Sequence, residues 1–171
     1  MNGKKVALGL AKLLAIGGAM GGIIGGVIYW AKKALKSDTD FKNRYKAYYT
    51  TTTQWLINRN EKKSVGDYFK ENNYKTIAIY GMGTMAEIFY DELKESNPNV
   101  KVAYFIDKNA DKLYYGLDDI PVVSLDKIEE QEEVEAIIVT PVYDFNKISD
   151  DLAELELPTE IISLEDIVYE I

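Results

Sequence analysis

The chain has no cysteine and no histidine. Disulfides, Cys/His zinc sites and catalysis by a thiol or an imidazole are therefore excluded. Basic residues are scarce over most of its length. Residues 64–171 hold 8 Lys/Arg against 25 Asp/Glu, a net of −17. Residues 1–63 hold 12 and 3, a net of +9, and the two sum to the overall −8. So acidic a C-terminal part is a poor partner for nucleic acid. Any phosphate it binds must be held mainly by backbone amides. The basic N-terminal part suits an anionic membrane surface.

Charge is missing altogether from Leu13 to Ala31, a run of 19 residues. About 20 apolar residues cross a bilayer as a helix. Tyr29 and Trp30 close the run where interfacial aromatics belong, and Lys32, Lys33 and Lys36 follow. The stretch is too long for a cleaved signal peptide and has no polar face for lying in the interface. A membrane anchor is expected, with the acidic part in the cytoplasm and the chain in the inner (cytoplasmic) membrane. A helix buried inside an assembly of copies is the other reading. Gly17-Gly18, Gly21-Gly22 and Gly25-Gly26 repeat at four-residue spacing. Small residues so spaced let two helix backbones approach, which predicts self-association.

Phe41, Tyr45, Tyr48, Thr52 and Trp55 recur at helical spacing and predict an amphipathic helical connector that Asp38 or Asp40 could cap, its aromatic stripe packing on its own domain or on a neighbour. The β-branched run Thr50–Thr53 argues against helix there. Three blocks result: an apolar helix over 1–36, a connector over 37–63 and an acidic domain over 64–171. Ser64-Val65-Gly66-Asp67 reads as a capping sequence for a short helix.

The domain's most informative stretch is Tyr80-Gly81-Met82-Gly83-Thr84-Met85-Ala86. It follows an alternating apolar strand, Thr76–Tyr80, and opens a helix over Ala86–Leu93. A second strand, Val100–Ile106, ends on Asp107, 26 residues past Gly81. Strand, G-x-G-x-x-A turn, helix, strand and acid form the order of a dinucleotide-binding βαβ unit. Gly81 permits the tight turn, Gly83 admits a pyrophosphate, and Ala86 keeps helix and strand close. The helix amides would hold the anion, and Asp107 would read a ribose diol. The ligand class is a nucleotide, dinucleotide or nucleotide sugar. The alternative is a glycine turn kept for packing alone.

The remainder supplies a short strand at Pro121–Val123, an acidic helix over Leu125–Glu133 and a continuous apolar strand, Ala136–Thr140. A helix over Phe145–Leu155, a strand at Glu160–Ser163 and a last turn capped by Ser163 complete it. The expected fold is α/β, a small doubly wound, Rossmann-like parallel sheet of about five strands in the order 3-2-1-4-5, preceded by N-terminal helices. Gly81, Gly83, Thr84, Asp107 and Thr140 should converge at the switch point. Tyr90-x-x-x-Lys94 and Tyr143-x-x-x-Lys147 match the Tyr/Lys spacing of short-chain dehydrogenases, but 13 tyrosines make such matches expected by chance. The acid pairs Asp118-Asp119, Glu129-Glu130 and Glu132-Glu133 read as solvated faces, so neither a catalytic nor a metal site is assigned.

Ile77 to Ala86, Phe105 to Asn109, Asp119 to Asp126 and Ile137 to Pro141 together resemble small Rossmann-like domains of bacterial surface-polysaccharide and glycan-modification proteins. The resemblance covers residues 64–171. It implies nucleotide or nucleotide-sugar contacts at Gly81, Gly83 and Asp107, and a glycan-synthesis enzyme as partner. The catalytic parts of those proteins have no counterpart here. The reading is a membrane-anchored, non-catalytic nucleotide-binding module in surface-glycan synthesis that forms homo-oligomers. The alternative is a self-assembling structural protein whose domain is an assembly unit.

Overall fold

A computed structural model describes the backbone of residues 3–113 and 116–171, with side chains from residue 29 onward except residue 34. The apolar run Leu13–Ala31 reaches those side chains only at its last three residues, and the glycine pairs lie outside them. Among the described residues, no helix is long and apolar enough to cross a membrane.

Two compact units divide the chain, Met1–Tyr45 and Lys46–Ile171. The described part of the first lies within helix α1 (Gly3–Asn60). Asp38 and Asp40 lie inside α1, so neither caps a helix start, and Asp38 instead pairs with Lys42 at 2.7 Å. Tyr29, Trp30, Leu35, Phe41 and Tyr45 are exposed.

The second unit opens with the end of α1. The threonine run stays helical because hydroxyls bond back to the preceding turn: Thr50 Oγ1 to Lys46 O at 3.0 Å, Thr53 Oγ1 to Tyr49 O at 2.7 Å. Trp55 is buried, and its indole N–H donates to Glu92 Oε2 at 2.8 Å. Asn58 Nδ2 donates to Val168 O at 2.6 Å. Thr51 Oγ1 is buried without a partner. A buried hydroxyl with no bond costs about 1–3 kcal/mol, so the near-isosteric Thr51→Val should stabilise the unit by about 1 kcal/mol. Urea unfolding of the full chain in detergent reads the shift as a higher midpoint.

Helix α2 (Val65–Glu71) starts at Ser64, whose N–H and hydroxyl both donate to Asp67 Oδ2, at 2.8 and 2.9 Å. It buries Tyr68 and Phe69. Five parallel strands follow: β1 (Thr76–Tyr80), β2 (Lys101–Ile106), β3 (Val122–Val123), β4 (Ala136–Val139) and β5 (Glu160–Ser163). Their order is β3-β2-β1-β4-β5, the predicted doubly wound arrangement. All four residues of β4 are buried, as a parallel strand covered on both faces requires.

Side-chain alternation divides the core between the two faces of the sheet. Ile77, Ile79, Phe105 and Ile138 pack with Phe69, Phe89, Leu164 and Ile167 on one side. These last come from α2, α3 (Thr84–Ser96) and α5 (Leu164–Glu170). Ala78, Ile106, Ile137 and Val139 pack with Ile148 and Leu152 of α4 (Phe145–Ala153) on the other. The acidic stretch after β3 forms only a 3-10 turn, Leu125–Glu130, where a helix to Glu133 was predicted. Like charges at Glu129, Glu130, Glu132 and Glu133 oppose a helix, and Ile128 is the one side chain the turn buries.

Candidate functional site

The glycine turn lies at the switch point, the C-terminal end of β1, which pairs with β2 on one edge and with β4 on the other. Gly81 leaves β1 with φ +98° and donates its N–H to Ile106 O at 2.7 Å. A Cβ there would stand 2.9 Å from Thr140 Oγ1 and 3.2 Å from the Pro141 ring. Backbone conformation and space both demand glycine.

Gly83 is different. Its φ of −96° suits any residue, and a Cβ added to it would meet nothing within 4 Å. The fold places no demand for glycine at this position. It is the N-cap of α3, followed by exposed Thr84. Its carbonyl accepts from Ala86 N and Glu87 N, at 2.9 and 3.2 Å. The amides of Gly83, Thr84 and Met85 have no acceptor in the chain among the described residues, as at any helix start without a side-chain cap. Ala86 is fully buried against the sheet.

Asp107 directly follows β2 and is half-buried. Its Oδ2 accepts from Met82 N–H at 3.0 Å. Its Oδ1 accepts from the Asn109 backbone N–H at 2.8 Å and Nδ2 at 3.2 Å. A carboxylate has about four acceptor positions, so three bonds leave it room for one more donor. Thr140 is 2% exposed and donates its hydroxyl to Tyr80 O at 2.9 Å, so it shapes the turn without facing solvent. The five predicted residues thus meet at one end of the sheet in three roles. Gly81 and Thr140 build the turn, Gly83 and Thr84 form its open side, and Asp107 fixes its position. The Asp107 tie to Met82 was not legible in the residue spacing.

Two further acids are felt near the turn: Asp151, at Tyr80, and Glu87. Burial, and then the charges of Asp151 and Asp107, push the Tyr80 hydroxyl pKa up. Glu87 stands in the first turn of α3. Clefts of 320 Å³ beside Tyr90, Lys94 and Ile120, and of 330 Å³ beside Arg59, Lys63 and Ser96, lie away from the turn.

The Tyr90/Lys94 pair does come together, on one carboxylate: Tyr90 donates to Asp118 Oδ2 at 2.8 Å, and Lys94 pairs with the same oxygen. Burial first, and then the Asp118 bond, push the Tyr90 pKa up to about 12. Proton transfer by tyrosine needs the opposite shift. The pair fastens α3 to the loop after β2. Among the described residues, no group of three acids could hold a metal ion.

A five-stranded, doubly wound parallel sheet with a glycine turn at its switch point defines a small Rossmann-like α/β protein. The C2185-like N-terminal family model matches residues 72–163, more than half of the 171 residues. The chain belongs to that family. No curated protein and no solved structure matches it.

Proposed function

We propose that this chain is a membrane-anchored nucleotide- or nucleotide-sugar-binding module, non-catalytic by itself, that serves surface-glycan synthesis beside a partner enzyme. Copies associate through Gly17, Gly18, Gly21, Gly22, Gly25 and Gly26. The observation that carries the ligand is Gly83, a glycine with ordinary φ and empty space where its side chain would be, beside three amides with no acceptor among the described residues. Such a position suits close approach of a phosphate. Asp107 retains one acceptor for a ligand hydroxyl. The glycan setting rests on the sequence resemblance, and the anchor on the 19-residue uncharged run.

A second reading has its own observation. The Asp107–Met82 bond closes the turn from within, and Glu87 places a negative charge in the first turn of α3. On that reading the turn is architecture and the domain an assembly unit.

Full-length protein in detergent, titrated with ATP, NAD and UDP-glucose at millimolar concentration, separates the two. A ligand that binds only the folded state raises Tm by mass action. Asp107→Ala should weaken that binding by about 1–3 kcal/mol, the scale of a lost charged hydrogen bond. No shift with any of the three would favour the structural reading. The anchor is tested separately. Full-length protein should sediment with membranes and need detergent for release, and recovery in a detergent-free high-speed supernatant would contradict it.

A further inference from the structure

We propose that the ligand of the glycine turn carries a pyrophosphate, and that Lys147 neutralises its second phosphate from the far wall of the switch-point crevice. This rests on the nucleotide reading and gives it a residue and a ligand class. The neighbouring strands β1 and β4 send the chain to opposite faces of the sheet. After β1, α3 packs Ala86, Phe89 and Leu93 into one core. After β4, α4 packs Ile148 and Leu152 into the other. Connections that part in this way open a crevice at the C-terminal ends of the strands. Gly83 and Thr84 stand on the α3 wall. Residues 140–150 form the α4 wall, and Lys147 is the one basic residue among them.

The α4 wall is fastened to the turn. Thr140 N–H and hydroxyl both donate to Tyr80 O, and the Pro141 ring stands 3.2 Å from the place of a Gly81 Cβ. Lys147 follows in the first turn of α4. Helix side chains lean toward the helix N-terminus, so this one leans toward the crevice. Asp151 lies one turn further along the same side of α4, and its charge already reaches the Tyr80 hydroxyl of β1. Lys147 is one turn nearer the glycine turn. The other cations of residues 64–171 are placed elsewhere. Lys94 pairs with Asp118, and Lys101 with Glu132. Lys70 lies in α2, and Lys75 precedes β1 at the opposite end of the sheet. Lys108 and Lys112 follow β2 and Lys127 follows β3, on the side of β1 away from β4. Lys147 is exposed and makes no ion pair among the described residues. The amides at the start of α3 suit one phosphate. A second one, near Asp107, Glu87 and Asp151, needs a cation, and Lys147 is placed to supply it.

The test is calorimetric titration of the full-length chain in detergent with ADP and with AMP, which differ by the second phosphate. Lys147→Gln removes the charge and keeps the side-chain length and helix propensity, so the variant stays folded. It should raise the Kd of ADP about tenfold, the scale of a lost hydrogen bond to a charged group, and that of AMP less than about twofold. Lys147→Arg should restore most of the ADP affinity, and Lys127→Gln, beyond β3, should change neither Kd. An unaltered chain that binds AMP as tightly as ADP would overturn the assignment and leave the nucleotide reading in place. So would a Lys147→Gln protein with unchanged ADP affinity, or one with equal losses for the two nucleotides. Binding of neither nucleotide by the unaltered chain would overturn both.

Discussion

Trp55→Ala will remove about 3–5 kcal/mol of stability from the Lys46–Ile171 unit, the loss typical of deleting a buried large aromatic. Two effects combine. The side chain is 3% exposed and packs in the same core as Val65, Phe69 and Leu93. Its indole N–H also satisfies Glu92 Oε2, on a residue itself 6% exposed. Glu92 Oε1 accepts the Val65 N–H at 3.1 Å, and Arg59 Nε stands 3.7 Å from Oε2. One carboxylate thus joins the end of α1, the start of α2 and the third turn of α3. Without Trp55 it remains buried with a bond missing. Trp55→Phe separates the effects by keeping much of the apolar volume, and should cost about 1.5–3 kcal/mol, the value of a hydrogen bond to a charged group. Trp30→Ala, at an exposed site, should change stability by less than about 0.5 kcal/mol. Urea unfolding of the full-length variants in detergent, followed by circular dichroism, reads all three. Equal losses from Trp30→Ala and Trp55→Ala would show that α1 does not enter the core.

Gly81→Val will be the second large loss. A β-branched residue at φ +98° carries about 1–3 kcal/mol of backbone strain. Overlap adds to it, because the new Cβ would stand 2.9 Å from Thr140 Oγ1. The turn cannot shift freely, since Gly81 N–H holds Ile106 O and Thr140 N–H holds Tyr80 O at 3.1 Å. A lowered unfolding midpoint, or protein recovered only in aggregates, is the expected outcome. A fully stable Gly81→Val protein would mean that the turn adopts a different conformation.

The strands were legible in the sequence because their apolar patterns are simple. Thr76–Tyr80 and Ala136–Val139 match their predicted runs closely. That the aromatic stripe of α1 packs on its own domain was legible, and Tyr48 and Trp55 do so; which carboxylate it meets there was not. Trp55 reads as one aromatic among five on a connector, and its partner Glu92 lies 37 positions away, looking like any exposed acid. Asp38 and Asp40 have the chemistry of N-caps, yet the helix continues through them. The site divides in the same way. Spacing identified Gly81, Gly83 and Asp107, but only the structure separates a glycine required by φ from one that is not. The Asp107 bond to a backbone amide leaves no trace in residue type.

That separation supplies the most direct measurement, the nucleotide-induced Tm shift of Gly83→Val beside that of the unaltered full-length chain. A side chain at position 83 meets nothing within 4 Å, so the only cost without ligand is a poorer N-cap for α3, about 0.5–1.5 kcal/mol, and the variant should stay folded. The same side chain would fill the space a pyrophosphate needs. The account predicts a folded variant whose response to ATP, NAD or UDP-glucose is abolished while the unaltered chain keeps its own. A folded Gly83→Val protein that retains the full shift would contradict it.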